Sequence, residues 1–133
     1  RSPNATRPWQ HVLEPLSGYL MLAKELYKDS SFSGSWNFGP NTESVKTVEE
    51  VANLIIEIYG SGNIKYIEKS NTYHESNLLQ LNCDKAKSLL KWYPNWSFDE
   101  TIKRTIIWYK NYFKGLEPKK LIDQNIKDFI SND

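Results

Sequence analysis

Asn4-Ala5-Thr6-Arg7-Pro8-Trp9-Gln10-His11-Val12-Leu13-Glu14-Pro15-Leu16-Ser17-Gly18-Tyr19 is the stretch on which the reading of this chain turns. It runs from a polar, proline-stiffened segment into a helix. From Glu14 to Lys28 the apolar positions Leu16, Tyr19, Leu20, Ala23, Leu26 and Tyr27 form one stripe at helical spacing. Pro15 suits the first helical position, where its missing N–H costs nothing. Just before the helix, Arg7 offers a planar fork of donors that matches a phosphate or a carboxylate. Trp9 has a face for stacking on a flat ring, and Gln10 and His11 have groups that can hydrogen-bond a polar ligand. The same residues also read as an entry segment, with Trp9 in the core and Arg7 paired to Glu14 on the surface. Residue types leave both readings open.

Working outward, Asp29 to Gly34 is a Ser-rich turn, and Trp36-Asn37-Phe38 reads as a short strand stopped by Gly39-Pro40. Thr47 and Glu50 form a capping box that opens a helix with Val48, Val51, Leu54, Ile55, Ile58 and Tyr59 inward, ended by Gly60 and Gly62. Ile64 to Glu68 and Leu79 to Asn82 read as further short strands. A short helix with Ala86, Leu89 and Leu90 starts around Asn82 or Asp84, and Trp92, Pro94 and Trp96 make a stiff aromatic turn. Ser97 and Glu100 give a second capping box, before a helix with Phe98, Ile102, Thr105, Ile106, Tyr109 and Phe113 on one face. Pro118 to Ile130 is a last amphipathic helix through Ile122, Ile126, Phe129 and Ile130. About five helices with a few isolated strands form an incomplete set, because such short strands do not make a self-sufficient sheet. They are expected to extend a sheet whose main part lies outside this chain. A first residue that is Arg rather than Met fits a processed, tagged or truncated chain.

The chain has 133 residues, the size of one domain, with 39% apolar and 25% charged residues. Five Trp, eight Tyr and five Phe are too many aromatics for a disordered segment. Seventeen basic against sixteen acidic side chains leave a net charge of +1 with no basic stripe, which argues against nucleic-acid binding. The single cysteine, Cys83, rules out an internal disulfide framework, fits a reducing compartment and reads as a small buried residue. His74-Glu75 lacks metal-ligand spacing, position 78 being Leu, and no metal is expected. No apolar run approaches a membrane span and no signal peptide is visible, so a soluble chain is expected. Trp92, Trp96 and Trp108 could line a carbohydrate platform, although aromatics flanking a turn more often pack the junction. Asn37, beside a Gly turn, could face the crevice at a strand end where ligands bind in open α/β sheets, or serve simple turn chemistry. There is no Gly-rich dinucleotide fingerprint, phosphate loop, G-x-S-x-G elbow or Tyr-x-x-x-Lys pair. Residue types and spacing thus stop at a helix-rich α/β piece with an Arg/Trp/Gln/His patch.

Several stretches taken in order go further. The sixteen-residue block from Asn4 to Tyr19 resembles the late segment of CDP-glucose 4,6-dehydratases, which are extended short-chain dehydrogenase/reductase enzymes. Trp36-Asn37-Phe38-Gly39-Pro40 resembles the strand that follows in that family. Tyr73-His74-Glu75-Ser76-Asn77, Leu79-Gln80-Leu81-Asn82 and Lys85-Ala86 are similar to the next block. Leu90-Lys91-Trp92-Tyr93-Pro94-Asn95-Trp96, Thr101-Ile102 and Trp108-Tyr109 complete the order.

The resemblance implies a reaction in which NAD takes hydride from C4 of the hexose, water leaves across C5 and C6, and hydride returns at C6. It also implies that residues 1–133 are the C-terminal, nucleotide-sugar-binding portion of such a lyase, without its Rossmann core, NAD site or catalytic residues, and inactive alone. Residues 1–40 are then expected to dock on the dinucleotide-binding domain. Arg7 matches the family's Arg that approaches the substrate pyrophosphate; Trp9, Gln10, His11 and Asn37 are the other candidates for substrate binding. Related dehydratases generally place a second Arg near the position of His74, but residues 71–77 contain none. Asn82 stands where relatives commonly have Asp, as a helix cap. CDP-glucose or a related nucleotide sugar is the implied ligand, in a cytoplasmic enzyme that forms homodimers when intact, with no nucleic-acid or membrane partner. Alone, the chain is expected to expose an apolar patch and self-associate. The alternative is a free-standing, non-catalytic module that binds a nucleotide sugar or a protein.

Overall fold

A computed structural model describes residues 2–66 and 79–131. It is a helix-rich α/β arrangement, as the sequence leads one to expect. The elements are β1 (Thr6–Pro8), α1 (Leu13–Lys28), β2 (Val45–Thr47), α2 (Val48–Tyr59), α3 (Phe98–Phe113) and α4 (Pro118–Ile130). A π-helical turn at Ala86–Leu90 and two short 3-10 turns complete the described elements.

The strands are not where the pattern places them. Trp36-Asn37-Phe38 and Leu79 to Asn82 are irregular backbone, as are residues 64–66; Lys69, His74, Glu75 and the rest of 67–78 lie outside the described residues. Instead β1 and β2 form an antiparallel pair, with Thr6 opposite Thr47, Arg7 opposite Lys46 and Pro8 opposite Val45. Alternation over three residues is too short a signal to reveal such a pair, which depends on chain ends distant in sequence.

Local chemistry predicts the helix boundaries better. Thr47 Oγ1 accepts the Glu50 N–H while the Glu50 carboxylate takes the Thr47 N–H, so the capping box of α2 is complete. Gly60, at φ 86°, ends α2 in the left-handed conformation that glycine adopts without strain. Ser97 Oγ caps α3 by accepting the Glu100 N–H, but the Glu100 carboxylate turns to Arg104 rather than back to Ser97. Asn82 Oδ1 accepts the Asp84 N–H at 2.9 Å, a cap for the helical turn that follows. Helix α1 starts at Leu13, two residues earlier than the Pro15 signal places it.

Two apolar clusters hold the fold. In one, Phe38, Cys83, Ala86, Leu90 and Trp92 pack with Met21, Leu22, Phe32 and Trp36. In the other, Val51, Phe98, Ile102 and Ile106 pack with Trp9 and the inner side chains of α2. Trp96 packs elsewhere: its ring meets His11 edge-on at 4.8 Å and Phe129 of α4 at 5.0 Å. Burial of Trp92 and Trp96 favours the junction-packing reading over a sugar platform for those two residues.

Helix α1 is turned the other way round from a typical surface helix. Its apolar stripe, Leu16, Tyr19, Leu20, Leu26 and Tyr27, is exposed, with Tyr27 at 95%. The buried positions are Glu14 and Gly18. Gly18 is required by close approach, since a Cβ there would lie 2.2 Å from Phe38 Cδ1.

Candidate functional site

Four of the five sequence candidates lie on β1 and the segment that joins it to α1, and each is held differently. Arg7 lies in β1, half-buried, with Nη1 donating to the Thr6 carbonyl at 2.7 Å. Its direct cross-strand partner is Lys46. Paired residues share one face of a ladder, and Lys46 extends along that face to place its Nζ 6.0 Å from the Phe98 ring. Trp9 packs against the second cluster, and its indole N–H donates to the Lys46 carbonyl at 2.9 Å.

Gln10 Nε2 donates to the Phe38 carbonyl at 2.9 Å, while its Oε1 is buried with no donor among the described residues. His11 is 7% exposed, and its Nδ1 accepts the Leu13 N–H at 3.3 Å, which places the ring proton on Nε2. Burial, and secondarily the positive charge of Arg104, push its pKa down to about 4, so the imidazole is neutral near pH 7. Asn37 is exposed and donates through Nδ2 to the Asn82 carbonyl at 3.1 Å.

A groove of about 390 Å³ opens between residues 10–13, α3 and α4. Gln10, His11, Trp108, Tyr109, Ile122 and Ile126 are among its walls, which are largely apolar. The fold thus brings Gln10 and His11 to one concavity, while Arg7, Trp9 and Asn37 lie outside its lining.

Three residues that organise this region escape sequence reading. Glu14, taken as a surface residue, is 1% exposed: Oε2 accepts the Asn95 N–H at 2.9 Å and Oε1 the Trp96 N–H at 2.8 Å. Ser17 Oγ accepts the Trp92 indole N–H at 2.9 Å and donates to the Glu14 carbonyl. Arg104 pairs with Glu100 at 2.6 Å and with Asp128 of α4, and its guanidinium lies 4.6 Å from the Trp96 ring. Hydrogen bonds and charge from Arg104, with a second bond from Gln124, hold the Asp128 carboxyl below its usual range. Only the i, i+4 spacing of Glu14 and Gly18 hinted at a non-apolar inner face, and apolar periodicity masked it.

With the geometry in view, comparison with known proteins places the chain. It is 39% identical over 132 residues to the CDP-glucose 4,6-dehydratase of Salmonella typhimurium. The chain is similar to the C-terminal part of that enzyme. The match takes in 98% of this chain and 37% of the relative, so the chain spans just over a third of the length of the protein it matches. No family model matches the sequence. Among the described residues no helix is long and apolar enough to cross a membrane.

Proposed function

We propose that this chain is the nucleotide-sugar-binding portion of a CDP-glucose 4,6-dehydratase, acting on CDP-glucose in the cytoplasm and without dehydratase activity by itself. The observation that carries the reading is a match running through nearly the whole chain to a protein of that name. Arg7, half-buried in β1 opposite Lys46, supports it, because its donor fork matches a diphosphate. In this reading Arg7 grips the pyrophosphate through its donor fork and Lys46 adds a point charge beside it. Neutral His11 contributes a donor at Nε2, and Trp9 fixes the strand from behind rather than touching ligand.

NAD, which such a reaction requires as hydride carrier, does not fit the described residues. A dinucleotide needs a glycine-lined turn leading into a helix N-terminus. Here Gly60 sits at a helix C-terminus, Gly18 faces Phe38 and Gly39 faces Leu81. The hydride chemistry therefore belongs to a separate dinucleotide-binding domain, against which residues 1–40 dock. The outward apolar stripe of α1 supports that docking, and predicts self-association when the face is left uncovered.

Titration calorimetry with CDP-glucose tests the reading. Binding weakened about tenfold or more in Arg7→Ala is expected, since a charge-assisted bidentate contact is lost. Equal affinity of wild type and Arg7→Ala would overturn the assignment. Tighter binding of an unrelated nucleotide sugar would favour a general binding module.

A further inference from the structure

Gln10 and Asn37 both come forward as ligand-contacting residues from their amide chemistry, yet the fold has put each amide to another use. Gln10 Nε2 holds the Phe38 carbonyl, and Asn37 Nδ2 holds the Asn82 carbonyl. Between them, the Gly39 N–H donates to Cys83 Sγ at 3.1 Å, a buried contact. Phe38 itself is wedged on the other side by Gly18, where no Cβ could be accommodated. Three consecutive residues of irregular backbone are thus tied from three directions. With no sheet ladder to hold it, such a segment depends on these side-chain ties for its position. Gln10 also lies only three residues beyond Arg7, and the Trp9 N–H bonds back to the Arg7 carbonyl at 3.1 Å, so the tie reaches the strand that carries Arg7. The Gln10 Oε1 is sealed from solvent and meets no donor among the described residues.

We propose that Gln10 is a positioning residue: through the Phe38 carbonyl, and with Cys83 at the far side, it clamps residues 37–39 against the Arg7 strand and so sets the nucleotide-sugar site without contacting the ligand. The ligand half of this inference rests on the proposed function; the clamp itself does not.

The lone thiol reports on the clamp. Cys83 is buried, so its alkylation by iodoacetamide requires local opening of the contact with Gly39. In Gln10→Met, which keeps the side-chain length and removes the donor, alkylation under native conditions is expected to accelerate about fivefold, as loss of one hydrogen bond implies. CDP-glucose affinity should fall by a similar factor. Weakened binding with an unchanged alkylation rate would overturn the proposal, because Gln10 would then touch ligand directly. Faster alkylation with unchanged CDP-glucose affinity would also overturn it, since the clamp would not serve the site. If wild-type chain binds no CDP-glucose, the nucleotide-sugar reading fails, and the alkylation rate alone decides the clamp: acceleration sustains it and no change removes it. Should Gln10→Met not fold, Gln10→Asn, which draws the amide back from the Phe38 carbonyl, gives the same readout, with an acceleration expected and none overturning the proposal.

Discussion

The two faces of α1 reverse the usual division between core and surface. The inner face opens with a carboxylate and a glycine, Glu14 and Gly18, and buries both before Met21 and Leu22 follow them into the first cluster. The outer face presents Leu16, Tyr19, Leu20 and Tyr27 and leaves them exposed. The inner face works by fit and by directed bonds: Glu14 receives two backbone N–H groups from the aromatic turn, Ser17 accepts from Trp92, and Gly18 admits the Phe38 ring. The outer face offers mainly apolar area, with Tyr19 also meeting the Phe38 ring edge-on. An apolar stripe therefore identifies the face a helix buries only when the partner belongs to the same packed unit.

This comparison can be broken most forcefully at Glu14. Glu14→Ala removes a buried acceptor from two backbone donors and is expected to destabilise by about 4 kcal/mol, read from urea midpoints. A loss below about 1 kcal/mol would mean that the inner seam contributes little. Gly18→Ala forces a methyl into the Phe38 ring and should cost about 3 kcal/mol, seen as a lowered thermal midpoint.

Acid provides a third test, because His11 sits where the inner seam meets the groove. Its folded pKa of about 4 lies below the ordinary 6.5, so between those values the unfolded chain binds the extra proton. Stability is then full above pH 6.5 and falls as the pH drops toward 4, by roughly 2–3 kcal/mol in all. Arg104 is the charge that adds to burial here, with Glu100 and Asp128 gathered around it. His11→Phe should flatten this part of the stability profile; an unchanged slope would place the titration elsewhere.

The outer face should respond in the opposite way. Leu20, 74% exposed, can be replaced by Lys with a change in stability within about 0.5 kcal/mol. Light scattering across a concentration series should nevertheless show reduced self-association. A chain that is monomeric at every concentration before the substitution would remove the case for an uncovered docking face.

Much of the local structure was legible in the sequence because its causes are local. Thr47 with Glu50, Ser97 before Phe98, Gly60 after Tyr59 and Pro118 at the head of α4 each mark a helix end through bonds or dihedral limits within a few residues. Cys83, Trp92 and Trp96 also lie buried as residue types lead one to expect. Resemblance of ordered blocks pointed to the dehydratases, and the match over 132 residues agrees with it. Arg7 was legible as a candidate anion ligand, since its donor fork is a property of the side chain alone.

Tertiary structure decided the rest. That Arg7 faces Lys46, that Glu14 bonds residues 81 and 82 positions away, and that Gln10 spends its amide on Phe38 all depend on contacts between distant parts of the chain. Strand pairing was misplaced for the same reason, because β1 and β2 are selected by each other and not by their own short patterns. Hydrophobic periodicity states which side of a helix is apolar; only packing states whether that side, or the one opposite, is covered.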